Sequence, residues 1–262
     1  MAAEADKGRP LLEVEGVRKR FGGIQAVDGA GFTVGAGSVT ALIGPNGAGK
    51  TTLFDLVTGF ASADGGSVRF DGEEVAHLAA HQIARRGMVR TFQLTRALAA
   101  MPVIDNMLLA APDQPGEQLR NVVLRPRAVR AREREVTEQA RELLEVFGLR
   151  DQADAYAGTL SGGQRKLLEL ARALMARPRM LLLDEPMAGI NPTLGHRLLD
   201  HIQRLRAEQG VTFLYVEHDM EVVMNHSDRV VVMAEGRVIA AGEPHEVRSD
   251  AAVVDAYLGS PA

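Results

Sequence analysis

The chain has 262 residues, 46% of them apolar, with a net charge of −4 and a pI near 6.0. That is enough for one large domain or a domain with a lobe, and it lacks the basic charge that draws proteins to nucleic acid or anionic lipid. Cysteine is absent, which excludes disulfides and thiolate metal sites, and no apolar run approaches the ~20 residues of a membrane-spanning helix.

The first ten residues, MAAEADKGRP, have no apolar core and read as a disordered tail rather than a signal peptide. Residues 11–43 then alternate in short strand-like runs separated by glycines, ending on SVTALI. GPNGAGKT follows at Gly44–Thr51 and fits the phosphate-binding pattern G-x-x-x-x-G-K-[ST] between a strand and a helix, TTLFDLVTGF. Its glycines turn backbone N–H groups toward phosphates, and the helix N-terminus adds the positive end of its dipole. Lys50 is placed to reach the β- and γ-phosphates, and Thr51 to offer its hydroxyl to Mg²⁺. Only four of the 30 basic residues are lysines, so the one at position 50 stands out.

VRFDGEEV (68–75) predicts a hairpin-like piece, and from about residue 94 the pattern turns helical and more charged. The Pro-containing stretch 111–126 reads as a loop. AVRAREREVTEQARELLEVFG is an amphipathic helix with Val129, Val136, Ala140, Leu143 and Phe147 on its apolar face and Gly148 as its stop. LSGGQRKLLELAR (160–172) opens another amphipathic helix. Ser161 and Gln164 have capping-box spacing there, but Gly162 and Gly163 are poor residues for a helix's first turn.

The apolar runs MLLLD (180–184) and VTFLYV (211–216) predict parallel strands buried on both faces. The first ends in two acids. Asp184 would hold Mg²⁺, and Glu185 would accept a proton from water attacking the γ-phosphate. Asn191 and Pro192 form a helix start, cap then first residue. RVVVMAEGRVIAAG predicts a second hairpin turning at AEG. These motifs alone indicate a nucleotide hydrolase or kinase.

GPNGAGKTT, RTFQ, LSGGQ, LLLDEP and EHD, in that order, resemble the ATPase subunits of ABC transporters over about residues 11–259. The resemblance implies an α/β fold: a P-loop (RecA-like) core, an N-terminal antiparallel β subdomain and an inserted helical subdomain. Residues 1–10 would be the tail and 11–262 one ATPase domain, its helical subdomain at about 94–176. It also implies ATP and Mg²⁺ as cofactors. Phe21 would stack on the adenine, with a core aromatic as the alternative, and Val27 would lie beside it. Asn46, Gly47, Ala48, Gly49, Lys50, Thr51 and Thr52 would hold the phosphates. Gln93 would touch Mg²⁺ and the attacking water, Asp184 the Mg²⁺, and His218 the γ-phosphate. Ser161, Gly162, Gly163 and Gln164 would cradle the ATP of a second ATPase chain, identical or different, which explains a second anion site without a lysine.

AGINP, EHDMEVVM and the ending DAYLG resemble the branched-chain, hydrophobic amino-acid importer ATPases. Those of lipopolysaccharide export share the ending but lack EHDM. The resemblance further implies a place on the inner face of the cell membrane. Permease subunits would dock near residues 94–110, on Leu94, Leu98 and Met101, and a substrate-binding protein would take part indirectly. A soluble ABC protein on DNA or ribosomes would carry coiled-coil inserts or a second ATPase unit, and no basic stripe with aromatics points to nucleic acid. LSGGQ and the Asp–Glu pair argue against a small-molecule kinase.

Overall fold

The computed structural model describes residues 9–91, 98–117 and 119–258. They fall into two compact units: one built on the chain up to Arg90, Arg179–Ala188 and everything from Leu199, the other on Thr91–Pro178 and Gly189–Leu198. In chain order the elements are β1 (Pro10–Phe21), β2 (Ile24–Gly35), β3 (Val39–Ile43), α1 (Lys50–Val57), β4 (Gly65–Phe70), β5 (Glu73–Glu74), α2 (Ala80–Arg85) and β6 (Met88–Arg90). The second unit then contributes α3 (Val103–Leu108), α4 (Leu119–Leu124), α5 (Pro126–Val146) and α6 (Gly162–Met175). The chain continues with β7 (Met180–Asp184), α7 (Pro192–Gln209), β8 (Thr212–Val216), α8 (Met220–His226), β9 (Arg229–Ala234), β10 (Arg237–Gly242), α9 (Pro244–Arg248) and α10 (Ala251–Leu258).

Two sheets make the first unit. One has the order β2-β1-β4-β5 and is antiparallel; the other runs β10-β9-β3-β8-β7-β6, parallel except for the β10 edge. Every residue of β3, β7 and β8 is buried, the polar Thr40, Asp184 and Thr212 included, as near-continuous apolar runs predict for parallel strands covered on both faces. Both expected hairpins form. Asp71–Gly72 turns β4 into β5 and Glu235–Gly236 turns β9 into β10, with positive φ at both residues of each turn, the conformation that matches strand twist. Their common core joins the two sheets through Val27, Leu42, Phe54, Leu182 and Met233.

The second unit is helical, and it corrects two expectations. The stretch 111–126 holds α4 and the start of α5, whose Pro126 sits in the first turn, where its missing N–H is harmless. Along α5 the buried positions are Val129, Val136, Ala140 and Leu144, while Leu143 is half-buried. Steps of seven and four carry the buried face onto Leu144, one position past the expected residue. Gly148 ends the helix: its N–H reaches the Glu145 carbonyl and that of Leu149 the Leu144 carbonyl, closing both orphan acceptors.

Candidate functional site

The phosphate loop leaves β3 at Gly44 and enters α1 at Lys50. Lys50 Nζ donates to the Gly44 carbonyl at 2.7 Å and the Pro45 carbonyl at 2.9 Å, so the ammonium lies over the loop's own mouth. Burial pulls its pKa below the ordinary value, while Glu185 and Asp184 push it back up. The loop is gripped from outside as well. Gly236 donates to the Ala48 carbonyl and accepts from Asp28, and a side chain at Gly49 or at Gly236 would run into the Ala26 carbonyl. Asn46, Gly47 and Thr51 are exposed and Thr52 half-buried, whereas Ala48 is buried and can present only its backbone.

Phe21 ends β1, 53% exposed as a residue, with Lys19 Nζ 5.4 Å from its ring centroid, which removes the core-aromatic alternative. Val27 is fully buried in the core. Val27 is out of phase with the buried Ala30, Phe32 and Val34, because the β1–β2 register shifts between Val17 and Arg18 and Gly29 takes a positive φ of 74°.

Asp184 and Glu185 part company at the end of β7. Asp184 is the last strand residue and is buried; Glu185 takes a left-handed φ of 47°, with its N–H on the Val216 carbonyl. That backbone turn lets two adjacent acids leave the strand without facing opposite sides of the sheet. Two residues that sequence reasoning passed over join them. Arg90, at the end of β6, donates to Asp184 Oδ2 at 3.0 Å and to Asp55 Oδ1 at 2.5 Å. Glu217, 1% exposed at the end of β8, accepts from the Met187 N–H at 2.8 Å and the His218 N–H at 3.3 Å. Burial pushes its carboxyl above the usual glutamate range, against both hydrogen bonds. His218 is 71% exposed at the side chain, its Nδ1 3.8 Å from Glu217. The RTFQ and EHD motifs contained both signals: a charged residue flanking each expected contact.

In the second unit Ser161 caps α6 in a capping box. Its Oγ accepts from the Gln164 N–H at 3.2 Å and the Gln164 Oε1 from the Ser161 N–H at 2.9 Å. The two glycines behind it differ. A Cβ at Gly163 would strike the Leu194 side chain, whereas one at Gly162 would meet nothing within 4 Å. Asn191 Oδ1 caps α7 by accepting from the Leu194 N–H at 2.9 Å. Gln93 and Leu94 lie outside the described residues. Leu98 is 47% exposed and Met101 half-buried, on a turn held by the fully buried Asn106, which bonds the Leu98 N–H and the carbonyls of Leu98, Met101 and Pro102. Among the described residues no helix is long and apolar enough to cross a membrane.

A glycine-rich loop between a parallel strand and a helix, facing a strand that ends in two acids, defines a phosphate-loop nucleotide-binding protein. Residues 27–188 match the family model of the ABC transporter, and residues 237–262 that of the branched-chain amino acid ATP-binding cassette transporter. The chain belongs to the ABC transporter family, as one of its ATP-binding ATPase cassettes. It is 45% identical to the high-affinity branched-chain amino acid transport ATP-binding protein BraF of Pseudomonas aeruginosa, over 96% of this chain and 98% of that one. Its identity to the corresponding LivG protein of Escherichia coli K12 is 40%, over 96% and 98% of the two chains. A crystal structure of a nucleotide-free ATP-binding cassette from an ABC transporter superposes with a TM-score of 0.83 at 39% identity, covering 96% of this chain and all of that one.

Proposed function

We propose that this cassette hydrolyses ATP to drive import of branched-chain or other hydrophobic amino acids. It would work as one of two ATPase chains beneath a pair of permease subunits on the cytoplasmic face of the membrane. The observation that carries this is the pairing of Lys50, half-buried over the phosphate loop, with Asp184 and Glu185, whose charges reach it. The match to branched-chain transport proteins along almost the whole chain supports the substrate class.

Bound phosphates would take the Lys50 ammonium from the Gly44 and Pro45 carbonyls, replacing neutral acceptors by charged ones. Phe21 offers an exposed face for stacking on the base. Glu185 accepts the proton of the attacking water, His218 contacts the γ-phosphate, and Gln93 would touch the attacking water and Mg²⁺. The donor set suits Mg²⁺: Asp184 and Thr51 are hard oxygen donors of the kind that share magnesium with water and phosphate. Held there, Mg²⁺ would supply neutralisation of the phosphate charge. The open α6 N-terminus at Gly162 faces the ATP of the other ATPase chain, and Leu98 and Met101 form part of the permease dock.

Two substitutions test the assignment. Glu185→Gln keeps ATP binding and lowers turnover by about 100-fold or more, as loss of a general base does. Lys50→Ala loses nucleotide affinity itself. Turnover within a few-fold of wild type in the first, or unchanged affinity in the second, would remove the corresponding role.

A further inference from the structure

We propose that Arg90 is a positioning residue for Asp184, clamping the metal-side carboxylate to the helix that follows the phosphate loop. The inference rests on the reading of Asp184 as the Mg²⁺ carboxylate given above. Three observations carry it. The Arg90 side chain is 7% exposed and Asp184's 3%, so the pair is shielded from solvent screening. The guanidinium is a fork with both prongs engaged, one on Asp184 Oδ2 at the end of β7, the other on Asp55 Oδ1 on α1. Its plane is also flanked by rings, 5.6 Å from the Phe54 centroid and 5.8 Å from that of Phe60.

Arginine suits this place because it cannot lose its proton and its planar fork fixes direction as well as charge. With Oδ2 held by Arg90, the carboxylate cannot rotate freely, and among the described residues no hydrogen bond engages Oδ1. A carboxylate with fixed orientation would hold a magnesium ion better than one free to rotate. Partners that orient a metal's ligands typically change its affinity by about 10–100-fold when removed. Arg90 is also the last residue of the first unit before the chain passes into the second toward Gln93.

The test is equilibrium binding of a fluorescent ATP analogue to the full chain, with Mg²⁺ and with EDTA, in wild type, Arg90→Met and Asp184→Asn. The readout is the gain in affinity that Mg²⁺ confers. Arg90→Met is expected to lose about tenfold or more of that gain, with Mg²⁺-free affinity kept within about threefold of wild type. A clamp that served only stability would lower the thermal midpoint and leave the gain intact, and that result overturns the proposal. Asp184→Asn separates the two levels. If it keeps the full gain, the metal-side reading of Asp184 fails; if it loses the gain while Arg90→Met keeps it, only the role of Arg90 fails. Should Arg90→Met not fold, Arg90→Met/Asp55→Asn removes one of the two acids left without a partner and carries the same expectation.

Discussion

Glu217 shows how much one residue's surroundings decide. Its carboxyl titrates above the ordinary glutamate value of 4.5 because burial outweighs the N–H groups of Met187 and His218, with Glu185 adding like charge and His218 opposing it. A folded pKa above the unfolded one stabilises the protein below the ordinary value and loses that contribution as pH rises through the folded value. Glu217→Gln cannot ionise. The difference in unfolding free energy between variant and wild type should therefore move in the variant's favour from pH 4.5 upward, measured by urea denaturation at pH 4.5 and pH 8. A constant difference would refute the burial argument. Sequence reasoning read EHD for His218 and treated Glu217 as a family marker. Its burial depends on a loop contact from 30 residues earlier in the chain, which no local pattern records.

Elements were legible where one period governs them, and less so where two principles compete. The all-buried strands and both hairpins follow from unbroken apolar runs and from DG and EG turns, and they appear as expected. On α5 the choice between Leu143 and Leu144 turned on about 100° of helical phase, too fine for a pattern with two adjacent leucines. Leu144→Ala should cost ~3 kcal/mol in urea unfolding, and Leu143→Ala clearly less, since only the former is fully buried. At the α6 N-terminus the structure divides a motif that the sequence presents as one. Gly163 has a packing reason within its own chain, contact with Leu194; Gly162 has none. Gly162→Ala should leave thermal stability within about 0.5 kcal/mol yet lower ATP turnover by at least tenfold. Wild-type turnover would mean that no phosphate approaches that turn.

For the whole molecule, the anion-binding role proposed for the α6 N-terminus requires that two chains meet. Glu185→Gln, which on the proposed assignment leaves ATP unhydrolysed, should shift the light-scattering mass from about one chain toward two when ATP is added, with wild type shifting less. If a second, different ATPase chain is required, the shift appears only when that chain is supplied, and a monomer that turns over ATP at full rate excludes a shared site. A different economy operates within the first unit, where the β9–β10 turn is wedged against the phosphate loop and β2 through Gly236. A saturation mutagenesis screen scored on ATP hydrolysis would group position 236 with position 49, nearly 190 residues away, and not with other hairpin turns. Heritable tolerance at this hairpin turn is thus set by a loop it touches, and a glycine that looks replaceable in an alignment of hairpins would be fixed by selection on nucleotide binding.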